Sequence, residues 1–493
     1  MKILLINPEI PNTFWSYKKA LQFIGKKASD PPLAMITVAA ILPSEWEKRL
    51  IDMNVTSLRT KDLEWADYVF VGGMNIQSES FKKVVAQCNE IGAKVVAGGP
   101  MCTCSYEEIE GVDHFVLNEA EITLPQFVHD LMDGKPKRVY SSDEFPDIQN
   151  TPIPMWGLLD AKKYSSMDLQ YSRGCPYDCE FCSITAMYGR KPRLKSPDQF
   201  IGELDSLYST GWRGAVFIVD DNFIGNRKVL KEELLPALVS WAELHDHPFE
   251  YITEASIELS DDDELMKLMV DAGFRMVFVG IETPEEASLK ECSKNQNQRR
   301  DMLKSVRIMQ RHGLNILGGF IVGFDHDSPE TFNNQIQFIQ KSGITTAMVG
   351  ILNALPLTRL AARLKRENRL VNSWNGNNVD SSLNFVPRMN PQALIEGYKS
   401  ILRSIYSQKA YFERIVTFLG EYRKPDRAGR NLGFGEIKAF LKALLRLGIL
   451  EKGRGYFWKL MIHVLRNCPQ NFSFAIGLAI RGFHYRKVSA SIA

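Results

Sequence analysis

Histidine and cysteine, the side chains that bind transition metals most readily, are scarce in this chain: each occurs eight times in 493 residues. The cysteines are Cys88, Cys102, Cys104, Cys175, Cys179, Cys182, Cys292 and Cys468, too sparse for a disulfide scaffold. Neither sign of charge dominates, since 60 Lys and Arg face 58 Asp and Glu for a formal net charge of +2. That balance excludes the basic footprint of a nucleic-acid binder. No apolar run approaches the ~20 residues a membrane span needs; the longest near the C-terminus is 474–480. Neither GxGxxG nor GxxxxGK(S/T) is present, which weighs against the common nucleotide-binding loops. The opening residues, Met1 to Glu9, turn polar too soon for a signal peptide and read as a buried strand closed by Asn7-Pro8. A cytoplasmic protein is expected.

What is present is an ordinary globular composition, 45% hydrophobic and 24% charged, which excludes disorder. At ~150 residues per domain the length allows about three. Residues 171–182 read Tyr-Ser-Arg-Gly-Cys-Pro-Tyr-Asp-Cys-Glu-Phe-Cys. Cys175, Cys179 and Cys182 thus stand at CxxxCxxC spacing. Three soft thiolates hold three irons of a [4Fe–4S] cube and leave the fourth open. A structural zinc site would want a fourth ligand at knuckle-like spacing, and none is close; free buried thiols are the remaining reading. The segment, with Phe181 just before the last cysteine, resembles the signature of the radical S-adenosylmethionine enzymes. The resemblance implies that the open iron chelates the amino and carboxylate groups of S-adenosylmethionine, with Phe181 beside it. It also implies cleavage to a 5′-deoxyadenosyl radical by an electron from an external donor of flavodoxin or ferredoxin type.

Ahead of the cysteines, strand-like runs at Lys2–Asn7, Tyr68–Gly72, 94–97 and 115–117 alternate with helical stretches. That order predicts a doubly wound, Rossmann-like parallel sheet over 1–140, with ligands beyond the strands' carboxyl ends. The pattern resembles the cobalamin-binding domain of one branch of the radical enzymes, through Pro31-Pro32-Leu33, Val38-Ala39-Ala40, Gly98-Gly99-Pro100 and Glu119-Ala120-Glu121. The resemblance implies corrin contacts from Pro32, Leu33, Gly98, Gly99, Pro100 and Glu119, with Met74, Asn75, Ile76 and Gln77 on the lower side. No Asp-x-His-x-x-Gly motif occurs, and His114 and His129 lie outside any such context. Bound cobalamin is therefore expected base-off, without a histidine beneath it. A generic flavodoxin-like domain that binds nothing, or a nucleotide, is the rival reading.

A proline-containing linker, 141–164, leads to a run of strand–helix units over 165–370. Strands are expected at 167–172, 215–219, 251–256, 275–281, 316–322 and 347–352, matching the partial (β/α)6 barrel of the superfamily. Chemistry in such barrels sits at the strands' carboxyl ends, where Asp220, Asp221, Glu254 and Glu282 fall. By resemblance, Glu254 and Glu282 contact the amino or ribose groups of S-adenosylmethionine, Asp220 joins them, and Gly319 and Ile321 flank adenine. The family's trailing Glu is out of register: Asp325 arrives one place early and His326 fills the slot. The basic group Arg190, Lys191, Arg193 and Lys195 suits either the anionic cofactors or a solvated loop, and Cys292 reads as a helix-end residue.

Beyond residue 370 the pattern is amphipathic and helical, with helices expected at 391–406, 411–419, 434–447 and 456–465. With Lys294-Asn295-Gln296-Asn297 and Asn384-Phe385-Val386-Pro387, this tail resembles a cobalamin-dependent subfamily that includes hopanoid and peptide C-methylases. The function implied is methylation of an unactivated carbon on a lipid, peptide or small molecule. A cyclisation or rearrangement with the same cofactors is the first alternative, and an iron–sulfur electron carrier or scaffold the second. The stretch 474–487 suits a packed terminal helix, with peripheral membrane contact as the other reading.

Overall fold

The computed structural model describes all residues except 372–375, 378–380, 426–433 and 493, and the side chains of Phe434 and Glu436. Its first sheet is built from β1 (Lys2–Asn7), β2 (Glu47–Asp52), β3 (Tyr68–Gly72), β4 (Lys94–Gly98), β5 (His114–Val116) and β6 (Val139–Tyr140), in the order β2-β1-β3-β4-β5-β6. Every neighbouring pair is parallel. Alternation along β1 feeds both faces: Leu4 and Ile6 join one hydrophobic core and Ile3 and Leu5 the other. Strand order reverses between β1 and β3, where doubly wound sheets open a ligand crevice. β2 was not foreseen because its start, Glu47-Lys48-Arg49, carries the charges of an edge strand, and β6 has only two residues.

The second sheet contains β7 (Ser166–Leu169), followed by a two-stranded ribbon of β8 (Ser172–Arg173) and β9 (Arg193–Leu194). It continues with β10 (Gly214–Ile218), β11 (Phe249–Glu254), β12 (Phe274–Glu282), β13 (Asn315–Val322) and β14 (Thr346–Ile351). Its order is β14-β13-β12-β11-β10-β7, parallel throughout. All six expected barrel strands form, and β7 and β14 are not hydrogen-bonded to each other.

Segments from both ends of the chain fill that open seam. Residues 27–29 run beside β7, with Lys27 N donating to Lys163 O at 2.8 Å and Ser166 N to Ser29 O at 2.9 Å. On the other side lies the terminal helix Phe472–Ile492, whose Tyr485 hydroxyl reaches Thr346 Oγ1 at 3.2 Å and Tyr17 Oη at 3.0 Å. Leu478, Phe483, His484 and Tyr485 are buried. The stretch 474–487 is therefore mostly packed, as a terminal helix, with Lys487 exposed. The other C-terminal helices are Pro391–Ile405, Gln408–Glu421, Phe434–Ala443 and Arg454–Asn467. Asn390 and Ser407 cap the first two by accepting from Ala393 N and Ala410 N. Among the described residues no helix is long and apolar enough to cross a membrane.

Candidate active site

The cysteines lie on the loop between β8 and the short helix Ile184–Tyr188, at the carboxyl end of the barrel. The loop leaves β8 through Gly174, at φ +95°, where an added Cβ would meet the carbonyl oxygens of Tyr188 and Gly189 at 3.0 Å. Only glycine fits there. Gly174 N donates to Asp221 Oδ2 at 2.9 Å. Each residue between the cysteines, apart from Pro176, has a partner. The Tyr177 hydroxyl donates to Glu258, which also pairs with Arg227 at 2.9 Å. Glu180 takes two bonds from Arg363 at 2.7 and 3.1 Å, and Arg363 also reaches Asp325 at 2.9 Å. Asp178 meets Arg359 at 3.5 Å, and Phe181 lies 6.3 Å from the Phe324 ring.

A second segment bends over this loop. Glu180 N donates to Cys292 O at 2.8 Å, and Gln296 Nε2 approaches Cys179 Sγ at 3.7 Å. Lys294 Nζ pairs with Glu282 Oε1 at 2.7 Å, both side chains being nearly buried. Glu282 sits at φ +63°, beyond a register shift that ends β12. Gly280 leaves the space this pair needs, since a Cβ would lie 2.4 Å from Glu282 Oε1 and 2.8 Å from Lys294 Nζ. Sequence reasoning used Lys294 and Gln296 only as part of a likeness. Their signal was four polar residues after a helix end, which has no fixed spacing to the cysteines.

The electrostatics suit a cationic group on the sulfurs. All three thiols are free. Burial, with the Cys179 sulfur beside it, pushes the Cys182 thiol up to about 12 and raises Cys175. Iron would displace those protons and convert mutual repulsion into attraction. Burial opposes the Lys294 charge, but Glu282 and the Cys179 sulfur outweigh it and hold the ammonium protonated. Among the described residues no three His, Cys, Asp or Glu side chains converge on a single-ion site. A cubane spreads its three sulfurs over three irons and does not require such convergence. Nearby, desolvation and then Asp221 push Glu254 up to about 8. Gly319 faces Phe278, whose ring would lie 2.7 Å from an added Cβ, and Ile321 O accepts from Gln335 Nε2 at 2.8 Å.

The first sheet turns its carboxyl edge toward this site. Arg173 Nη1 donates to Glu119 Oε2 at 2.7 Å and Nη2 to Glu121 Oε1 at 2.7 Å, while Arg193 Nη2 reaches Glu119 Oε1 at 2.7 Å. From the loop after β1, Trp15 packs edge-on against Phe278 of β12 at 5.2 Å. Gly99 takes φ +93° at the turn after β4, and Met74 is 49% exposed at the turn after β3. Pro32 precedes the helix Leu33–Ile41, Leu33 is half-buried, and Asn75 and Ile76 are half-buried in a single helical turn beside Met74. Pro100 starts the short helix Pro100–Ser105. No histidine stands at this edge: His114 opens β5, with its ring against Lys137 O, and His129 lies in the last turn of a helix.

Three of the residues expected to contact ligands already have protein partners. Asp220 is buried, its oxygens accepting from Tyr171 N at 2.8 Å and Ser172 Oγ at 2.6 Å, so it anchors the strand that leads to the cysteines. Gln77 is buried and bonded to Met74 N, Pro8 O and Asn7 Oδ1, which ties β1 to β3. Glu119 is buried between Arg173 and Arg193 and joins the two sheets. Of the basic group, Lys195 pairs with buried Glu203 and Arg193 with Glu119, while Arg190 and Lys191 are exposed. Asp325 pairs with Arg363 and Arg369, and His326 with Glu291, rather than presenting a free acid at the strand end. Apart from Met74 with Gln77 and Lys195 with Glu203, these partners lie more than thirty residues apart in sequence and so were invisible to spacing.

Residues 169–339 match the Radical SAM superfamily model, and residues 358–493 match a domain of unknown function, DUF4070. An uncharacterized methyltransferase of Synechocystis sp. is 40% identical over 490 residues, covering 98% of this chain and 91% of that one. The hopanoid C-2 methylase of Rhodopseudomonas palustris is 35% identical over 418 residues, covering 84% and 78%. The chain belongs to the radical S-adenosylmethionine methyltransferase family that includes the hopanoid C-2 methylase. The family fold is matched by the radical S-adenosylmethionine methyltransferase TsrM from Kitasatospora setae, solved with cobalamin and a [4Fe–4S] cluster, at TM-score 0.65 and 14% identity over 99% of each chain. OxsB, a cobalamin-dependent radical enzyme solved with aqua-cobalamin and S-adenosylmethionine, has TM-score 0.62 at 14% identity, covering 100% of this chain and 80% of that one.

Proposed function

We propose that this methyltransferase adds a methyl group to an unactivated carbon of an apolar, hopanoid-type lipid. The observation that carries the chemistry is the set of three free thiols, fixed on a loop whose other side chains are paired, with Lys294 beside Cys179 and Cys182. Cys175, Cys179 and Cys182 would hold the [4Fe–4S] cluster, and the carboxyl edge of the first sheet, with Met74, Gly99 and Pro100, would hold cobalamin. When bound, these groups supply the electron that cleaves S-adenosylmethionine and the methyl group that the substrate carbon finally carries.

The chain's own part is to bind, orient and exclude water. Glu254 and Glu282 would receive the amino or ribose groups of S-adenosylmethionine at the barrel mouth. Phe181, Gly319 and Ile321 offer the neighbouring apolar surface for adenine. The Glu119–Arg173–Glu121 cluster keeps the two carboxyl edges facing one space, so that both half-reactions reach the same substrate. The lipid class is supported by the interior of the barrel. Strand alternation turns Phe217, Ile252, Met276, Phe278, Leu317 and Met348 inward, a mainly apolar wall that also carries Asp168 and Asn315 in register with Phe217 and Met276, with Arg481 against Met276 and Glu254 near the mouth. It is supported too by the hopanoid C-2 methylase among the relatives. A flavodoxin- or ferredoxin-type donor in the cytoplasm would supply electrons. Methylation is favoured over cyclisation by the methyltransferase names of the near relatives.

The test is anaerobic reconstitution with iron, sulfide and cobalamin, followed by S-adenosylmethionine, a reductant and a hopanoid lipid. 5′-Deoxyadenosine and a lipid heavier by one CH2 are expected. Deoxyadenosine without any methylated lipid would overturn the substrate class and leave the radical chemistry standing.

A further inference from the structure

We propose that the helical pair spanning residues 434–467 is a docking surface for an anionic lipid bilayer. The helix Phe434–Ala443 runs on without interruption through a wider turn, Leu444–Leu450, and a tight bend leads into the helix Arg454–Asn467. One face of the pair is core, with Ala443, Leu447, Phe457, Leu460 and Val464 buried. The opposite face is also apolar, yet it is open. Ile437, Leu441, Leu445 and Ile449 recur at four-residue spacing and are 47 to 57% exposed. On the second helix Trp458, Ile462 and Leu465 form the same kind of stripe, 43 to 57% exposed. Trp458 joins the two stripes at the bend, its Nε1 donating to Gly448 O at 3.0 Å. Single exposed apolar residues are normal on a monomer, but a contiguous patch of this kind marks a contact surface.

Charge selects the occupant. Between residues 434 and 467 the chain has seven Lys or Arg against two acids, Glu436 and Glu451, in a protein whose net charge is only +2. Glu451 faces Arg486 at 3.2 Å and Lys487 at 3.3 Å, so it does not offset the open face. Lys438 follows Ile437 directly and flanks the first stripe, and Lys459 follows Trp458 beside the second; both are exposed, while the Arg446 guanidinium turns inward over Phe483 at 4.8 Å. An apolar stripe edged by cations, with an interfacial tryptophan, matches the headgroup and acyl boundary of an anionic leaflet. A second copy of this chain fits less well, because symmetric pairing would set these basic rows against each other. The surface lies on the bilayer without entering it as a span, since no described helix is long and apolar enough to cross. Lys442 and Arg446 also bond Gln22, at 2.9 and 3.2 Å. Gln22 belongs to the helix Lys18–Ile24, which follows the loop whose Trp15 reaches Phe278 inside the barrel.

The test is co-sedimentation of the full-length protein with phosphatidylcholine vesicles, with and without phosphatidylglycerol, at low and high salt. Binding to the anionic vesicles is expected, weakened by salt. The variant Leu441→Gln/Leu445→Gln/Trp458→Gln and the variant Lys438→Glu/Lys459→Glu should each weaken it about tenfold or more. Both should melt as the parent does and release 5′-deoxyadenosine from S-adenosylmethionine at the parent rate, which separates this surface from the chemistry. Failure of the parent to bind anionic vesicles, or unchanged binding by both variants, would overturn the proposal. So would a dimer in light scattering that the glutamine variant dissolves while vesicle binding is absent, since the occupant would then be a second copy.

Discussion

Two loops at facing carboxyl edges are built in opposite ways. Between the cysteines, Tyr177, Asp178, Glu180 and Phe181 are each held by a named partner. After β3, Met74 is half exposed; Gln77 holds the turn from beneath, and the backbone at Gly376 lies against Asn75 and Ile76. The difference follows from what each must do in the proposed enzyme. Three sulfurs have to meet a small cube at fixed positions, so their loop is determined before any iron arrives. A corrin is a large flat body that brings its own shape, and it needs an accessible ledge more than a preset cage.

The largest effect should come from the cysteine loop itself. Cys179→Ala should abolish iron incorporation and lower 5′-deoxyadenosine release at least a hundredfold, read by iron analysis and product chromatography, about 3 kcal/mol or more on the barrier. Normal iron content would break the assignment. Next, Lys294→Met leaves Glu282 buried without its ion pair, at a cost of about 3 kcal/mol measured by denaturant unfolding. A stability change near zero would show that the pair does not hold the site. Arg363→Ala releases Glu180 and Asp325 together. Because Arg363 is partly exposed, about 1–2 kcal/mol is expected, with faster loss of iron to a chelator as the sharper readout.

The pH dependence of the cofactor-free protein offers a finer test. Glu254 is raised from 4.5 to about 8 by desolvation and Asp221. Over that interval the folded state binds the extra proton, so its contribution to stability is full below pH 4.5 and is lost as pH rises through about 8. Glu254→Gln should flatten the fall in melting temperature between these limits, and an unchanged profile would show that the carboxyl is solvated. Smallest of all is Met74→Ala on the ledge. Stability should move by less than about 0.5 kcal/mol, while cobalamin retained after gel filtration falls. A large loss of stability would erase the contrast between the loops.

Much of this was legible in the residues. The three thiols declared themselves by spacing, because a local loop must present them together. The six barrel strands could be read because parallel strands buried on both faces are short apolar runs closed by turns, as in Ile316 to Val322. Edge strands escaped, since Glu47-Lys48-Arg49 carries the charges that protect an edge.

The sequence by itself determined the inventory: three cysteines with no fourth nearby, no histidine in a cobalt-ligating motif, acids at strand ends. Tertiary structure alone decided which acids stay available. Asp220 and Glu119 look like Glu254 in sequence, but one is bonded to Tyr171 and Ser172 and the other to two arginines. It also packed most of 474–487, one of the two readings of that stretch, and left an open apolar surface on the helices before it. A stretch of leucines records only that water is avoided; whether protein covers it depends on which elements pack against it, and the terminal helix was taken into the seam of the barrel.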